Sequence, residues 1–505
     1  LDLKTHWLKI AAIIGCLIPI AVNAHGFGEK YDLPVPMSWI IWASCAVVLL
    51  SFLLTPFIKS PSIYVRGLIF SAHNARGTYS SSPAQYLKDQ PTLNRVILVL
   101  SLFLFALTWA CAVWGTADAL MNFAPTFIWI IWWLGTSFSV VLCGNFWPKI
   151  DPWKWSFVIG QSLLTNKLLQ NHKPNMEWPA YLGVWPAVFT LFMWCGLEII
   201  YPIASMPQQI AFFLGIYSVS TWLGMWVYGV RTWQSNGDGF SLYFQLLGIC
   251  RNATLNIMFP QRPTQRDFLP KTFSFSHQCS IVGLVMILLT SVLFDGIHAG
   301  EYWFNFEQFV SANTYFQKDI NGYRMGLAGL ICLWLVFIVV FGIASFATHL
   351  VFVFQHRHQG HPPSAWSNTL HIAHDYSFSL LPIGFAYLIA HNFSSFVLQG
   401  QNIIALASDP FGYGWNILGT AHFYPDITFI DAKVTWYVAS LSIVIGHVVS
   451  IVWAHHIALS YQLQRSLKTT QKASSNAWFL NLPMTLVMLA FTAFSLSIIA
   501  EPLTS

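Results

Sequence analysis

Long apolar runs separated by short polar stretches fill the chain. Ten of them are long enough to cross about 30 Å of hydrocarbon, at 37–57, 94–116, 122–145, 178–201, 206–230, 276–295, 326–354, 371–397, 434–460 and 478–499. The pattern predicts an all-α fold, a polytopic transmembrane helix bundle. Ahead of these runs, Lys4 and Lys9 precede an apolar stretch, Ile10 to Val22, that ends in Val22-Asn23-Ala24. A positive flank, a short apolar core and a small-residue end read as an export signal over 1–24. Cleavage after Ala24 leaves ten spans, and an uncleaved signal makes eleven. Residues 25–505 read as a single transmembrane domain, with no internal repeat, low-complexity tract or independent soluble unit.

The loops test this layout. Those at 58–95, 146–177, 231–275, 355–370 and 461–477 hold 18 Lys or Arg, and those at 25–36, 117–121, 202–205, 296–325 and 398–433 hold 4. The positive-inside rule then puts the chain in a bacterial cytoplasmic membrane with the mature N- and C-termini periplasmic. Within 231–275, GDGFSLYFQLLGI is amphipathic and is expected to lie along the interface.

Composition narrows the class further. Of 505 residues 55% are hydrophobic and 9% charged, where soluble chains carry about 25% charged residues. The 24 Trp, 41 Phe and 18 Tyr suit anchors at the headgroup level, so the lipid bilayer is the expected partner. A net charge of +5 comes from the loop asymmetry, and the lack of a basic run with interleaved aromatics speaks against nucleic acid. The eight cysteines lie almost all in apolar runs without a CxxC pair and read as small buried hydrophobes.

Ionisable groups inside the runs cost at least about 2.5–3.5 kcal/mol each on insertion scales, so each is a candidate for function. Toward the outer ends stand Asp118, Glu198, Asp295 and His391, the last roughly 9 Å deep at ~1.5 Å per residue. His298, Glu301, Asp409, His422 and Asp426 lie in the adjoining loops, and His25 heads the mature chain. Carboxylates and imidazole at one depth suit zinc, manganese or iron, and a divalent ion would activate water for hydrolysis. Glu198, Asp295 and His391 are therefore candidates for both catalysis and metal ligation. A second layer, His349, His374 and His455, falls within about one helical turn of depth and would suit zinc or copper; interfacial histidines bonded to headgroups are the competing reading. His371, His456 and the loop histidines His356, His358 and His361 lie nearby. His447, central in its run, reads as an interhelical hydrogen bond, a cofactor ligand to haem, or part of a proton path. Haem is the lesser of these, because His391 and His447 differ by roughly 10 Å in depth.

The chain has no HExxH, GxSxG, GxxxxGK[ST] or dinucleotide GxGxxG motif, which leaves serine hydrolases, nucleotide-driven pumps and nicotinamide enzymes without support. Several strings carry a resemblance instead: HGFGEKYDLPVP at 25–36, NFAPTFIWIIWWLG at 122–135, GNFWPKIDPW at 144–153, GDGFSLYF at 237–244 and SDPFGYGWNILGTAHF at 408–423. Together with LPIGFAYLIAHNFS and IGHVVSIVWAHH, they make nearly the whole mature chain similar to bacterial polytopic membrane proteins labelled fenitrothion hydrolase. At ADALMNF the acid Asp118 is kept while its flanks are looser than the family's usual form. The resemblance implies an integral membrane protein and, for some members, hydrolysis of an organophosphorus triester. It supplies no catalytic residues.

Three functions follow. A metal-dependent phosphoester hydrolase would use the outer group on a small-molecule substrate. A copper or haem redox or metal-handling subunit would use the histidines. A small-solute or ion transporter should show inverted repeats or Gly/Pro-broken spans in paired positions, and the sequence displays neither.

Overall fold

The computed structural model describes residues 37–58, 91–163, 176–258, 273–312, 322–356, 365–465 and 470–499. These are all-helical, with no strand among the described residues. The export signal, His25, His358 and His361 fall outside them.

Sixteen helices of seven or more residues follow in order: α1 Met37–Leu54, α2 Thr92–Trp114, α3 Phe123–Cys143, α4 Pro152–Leu163, α5 Trp185–Ile199, α6 Pro207–Tyr228, α7 Val230–Asn236, α8 Gly239–Met258, α9 Phe275–His298, α10 Glu301–Ser311, α11 Tyr323–His356, α12 Ala365–Ser377, α13 Leu381–Gln399, α14 Asn402–Ser408, α15 Ala432–Arg465 and α16 Thr470–Ile499. Nine spans among the described residues are long and apolar enough to cross a membrane: α1, α2, α3, α6, α9, α11, α12 running into α13, α15 and α16. Their outward faces carry bare apolar side chains such as Trp42, Phe103, Phe212, Ile343 and Leu441, the surface a lipid environment satisfies.

The expected span over 178–201 is shorter than the rest. Only Trp185–Ile199 is helical, about 22 Å at the helical rise. Its entry is a turn segment pinned to α9, where Ser280 Oγ accepts from Val184 N at 2.8 Å, and its exit packs Ile200 against Gly326 at the start of α11. Irregular backbone at such depth is tolerated where protein covers it. With α5 the described residues hold ten apolar segments that could serve as passes. α16 begins where α1 ends, since Ser474 Oγ donates to the Pro56 carbonyl at 2.7 Å, so residues 37 and 499 share one end of the bundle. Leu54 and Thr470, beside which Lys- and Arg-bearing stretches of the sequence lie, share the other, the basic end.

Two segments expected as loops turn back into the bundle. α3 and α6 each end at a glycine with positive φ, Gly144 (97°) and Gly229 (86°), a conformation that a side chain would strain. After Gly229, α7 climbs back, with Trp233 packed against Gly224 of α6. Both returning strands of chain stop at an aspartate at mid-height. Ile150 accepts from Ser101 Oγ in the middle of α2, and Trp153 Nε1 donates to Ser218 Oγ in the middle of α6 at 2.8 Å. Tyr217, next to Ser218, donates to the Asp238 carboxylate. Each aspartate then caps a descending helix. Asp151 Oδ1 accepts from Trp153 N and Lys154 N at 3.0 and 3.2 Å, and Asp238 Oδ1 accepts from Phe240 N at 3.2 Å, satisfying helix-start amides that nothing else reaches. α8, expected along the interface, is instead enclosed by protein from Gly239 to Phe244 and again from Leu246 to Cys250. Its amphipathic pattern reflects a polar cap and protein neighbours rather than a water boundary.

Candidate functional site

α9 is the most enclosed of the spans, with 78% of its apolar window buried, and its C-terminal end carries Asp295. His391 Nε2, on α13, lies 2.8 Å from Asp295 Oδ2. The two side chains keep 24% and 32% exposure, so the pair is reachable by water. Glu198, on α5, meets the Trp133 side chain and stands within electrostatic reach of Asp295. Three of the four outer residues singled out by depth are therefore neighbours, with Asp295 between the other two.

Asp295 and Glu198 line a cavity of about 40 Å³, room for a few waters. Cys195, Ser291 and Asn392 add polar atoms, while Leu289, Leu380, Leu381, Phe385 and Leu388 make its walls apolar as it runs from Asp295 toward the middle of the bundle. Trp133 and Tyr243 close one side; the rings stack 4.6 Å apart, and Tyr243 shares a hydrogen bond with Ser137 at 3.0 Å. Trp133 belongs to a ten-residue π-helical stretch of α3, Thr126–Gly135. Such widened turns re-aim side chains and often sit beside functional sites. Beside His391, a Cβ on Gly296 would come within 3.2 Å of Tyr387 Oη and 4.0 Å of His391 Nδ1. That glycine leaves the second ring nitrogen room.

The other expected outer residues lie apart from this site. Asp118 is exposed and accepts from Leu120 N at 2.9 Å; Asp409 braces its own loop through Tyr413 N and Gly414 N. His298 packs on Phe294 and Trp303, and Glu301 starts α10. Asp426 accepts from both N and Oγ1 of Thr428, which holds its carboxyl below the usual range.

The inner histidines do not assemble. His374 Nδ1 turns to Asp375 Oδ1 at 3.0 Å, His455 packs toward the Ile58 backbone, and His349 is buried with Nδ1 unpartnered among the described residues. Equal depth placed them on a common level, but their helix faces point to different neighbours. His447 Nδ1 bonds the Ile443 carbonyl of its own helix at 2.8 Å, so it does not make the interhelical hydrogen bond that is one of its three expected roles. Among the described residues no three His, Cys, Asp or Glu side chains converge as a metal ion requires. The outer trio supplies one close pair and one more distant acid, so the donor set does not fit a divalent centre.

Sequence reasoning missed Cys195 and Ser291, although both stand at helical spacing from an expected acid, three before Glu198 and four before Asp295. It also missed the mid-height polar hub. There Gln234 Nε2 donates to Asp151 Oδ2 at 2.6 Å, Ser241 Oγ donates to Asp238 Oδ2 at 2.5 Å, and Lys154 Nζ donates to the Pro148 carbonyl at 2.8 Å. All of these residues lie in 146–177 and 231–275, which the sequence pattern predicts as loops, with Asp238 and Ser241 in the amphipathic part of the second. No protein-family model, curated protein or solved structure matches the chain.

Proposed function

We propose that the protein is a membrane-embedded hydrolase of neutral phosphoesters, acting from the outer face of a bacterial cytoplasmic membrane. The observation that carries this reading is the 2.8 Å contact between His391 Nε2 and Asp295 Oδ2 at the head of an apolar cavity. Asp295 orients the ring and stabilises its protonated form; Nδ1, beside Gly296, is then the atom that takes a proton from attacking water. The Asp295 carboxylate at the head disfavours anionic mono- and diesters, while the apolar walls suit an apolar substituent of an uncharged triester whose phosphorus stays at the head. The resemblance to fenitrothion hydrolases points the same way. The excess of Lys and Arg at the opposite end supports the outward orientation.

The test is turnover by the detergent-purified protein of a neutral phosphotriester such as fenitrothion, beside an anionic phosphodiester of the same leaving group. Release of leaving group from the triester alone is expected. Equal turnover of both, or of neither, contradicts the reading.

Transport is a second reading, favoured by one specific observation: paired glycine-turned segments that stop at mid-height on Asp151 and Asp238. Broken helices with their N-termini at the midplane are where transporters hold substrates and ions. Counter-flow of a labelled solute in proteoliposomes, without hydrolysis, would select it.

A further inference from the structure

Residues 409–431, the loop that leads from α14 into α15, are poor in groups that seek water. The loop has no Lys or Arg, and its three aspartates are turned to backbone amides. Asp409 accepts from Tyr413 N and Gly414 N at 3.0 and 2.7 Å, Asp426 from Thr428 N at 2.8 Å, and Asp431 caps α15 by accepting from Val434 N at 2.7 Å. Outward the loop shows Trp415, Ile417, Leu418, Ile427, Phe429 and, 84% exposed, Tyr424. Single exposed apolar groups need no explanation, but so many on one braced loop mark a surface made for a partner.

The loop is held in the layer where spans end. Phe123 N, at the start of α3, donates to the Pro410 carbonyl at 3.0 Å, and Thr116 N, just past α2, donates to the Phe411 carbonyl at 2.9 Å. Tyr413 Oη donates to the carbonyl of Trp114, the last residue of α2. Further along, Ile417 N and Leu418 N donate to the carbonyl and the Oγ of Ser408 at 3.0 and 2.9 Å. Gln401, just past α13, clasps Asp426 from both sides: its Oε1 accepts from Asp426 N at 3.0 Å and its Nε2 donates to the Asp426 carbonyl at 3.2 Å. Every tie leads to the end of a helix, so the loop lies across the span ends instead of projecting from them. Through Tyr413 its surface joins the outward apolar face of α2, which ends in Trp114 at 69% exposure.

The connection after α9 stands at the same end, since α9 and α13 meet there through Asp295 and His391. In α10, Trp303 is held against Phe294 and Gly329. Tyr302, Phe306 and Phe309, spaced along one helix face, are exposed.

We propose that residues 409–431 are a lipid-binding loop, seated in the headgroup and upper acyl layer of the leaflet at the Asp295 end, and that its partner is phospholipid without net charge. Tyr and Trp, apolar bodies with a polar tip, favour that layer. Irregular backbone at headgroup level still reaches water, which it could not do deeper in the hydrocarbon. Anionic lipid is drawn by Lys and Arg, which the loop lacks; a protein partner is selected by complementary charge, and the loop's carboxylates are bound to its own amides. The inference is independent of the chemistry at Asp295 and His391.

The test places the full chain in nanodiscs of phosphatidylcholine alone, with a bimane label on Ile417→Cys or Ile427→Cys. The exposed native thiols Cys143 and Cys332 are changed to serine in both, and the labelled parent without a loop cysteine sets the blank. Strong quenching is expected from phosphatidylcholine bearing a nitroxide high on its acyl chain, with several-fold weaker quenching from a nitroxide near the chain end and from aqueous iodide. The same label at Leu441→Cys, on the outward face of α15, calibrates the lipid signal. Quenching by iodide that exceeds quenching by lipid overturns the proposal in favour of a protein partner or open water, and quenching strongest from the chain end overturns the interfacial depth. Where one of the two loop variants does not fold, the other decides.

Discussion

Gln234 donates to Asp151 at 2.6 Å, and this bond ties together the two segments that turn back into the bundle. Asp151 is fully buried, and its other oxygen is already occupied by the amides of Trp153 and Lys154. Gln234→Ala should therefore leave a buried carboxylate oxygen unpaired and cost about 1–3 kcal/mol. A thermal midpoint in detergent several degrees below wild type is the expected reading; an unchanged midpoint would show that the two segments hold independently.

At Gly446, α15 packs tightly against α13. A Cβ there would stand 2.4 Å from the Ala386 Cβ and 2.7 Å from the Pro382 carbonyl. Gly446→Val should force the helices apart at a cost of about 1–3 kcal/mol or more, seen as loss of monodisperse protein on size-exclusion chromatography.

His447 bonds a carbonyl of its own helix, with Nε2 unpartnered among the described residues. Replacing it by a leucine removes that unpaired atom, so His447→Leu should leave thermal stability within about 1 kcal/mol of wild type. Hydrolysis should persist. Loss of turnover in a folded variant would move the chemistry to the centre of the bundle.

Residues 37 and 499 share one end of the bundle, and ten passes under the positive-inside rule would put that end outside the cytoplasm. A reporter active only in the cytoplasm, fused after Ser505, should be silent, and the same reporter after Arg465 should be active. Activity at Ser505 would overturn the number of passes.

The class of fold was legible because apolar runs of about 20 residues have few other uses, and nine of the ten runs became long helices. The outer trio was legible by depth, since Glu198, Asp295 and His391 each lie close to the end of a run. Depth alone could not give azimuth, so the same reasoning grouped His349, His374 and His455, whose faces diverge. The re-entrant segments were hidden for a different reason. GNFWPKIDPWK and NGDGF are rich in Gly, Pro and charge, the usual marks of a surface loop, and only tertiary contacts with Ser101, Tyr217 and Ser218 place them at mid-height. Lys154, counted as a loop cation, is buried there; the charge asymmetry survives without it.

The most direct measurement is the rate of triester hydrolysis by Asp295→Asn and His391→Gln against wild type, at matched amounts of folded protein. An acid–base pair of this kind contributes on the order of 10²–10⁴ in rate. Each variant should lose at least about a hundredfold in kcat with little change in KM, because both substitutions nearly keep the size of the side chain beside the cavity. Full turnover in His391→Gln would contradict the assignment of the Asp295–His391 pair.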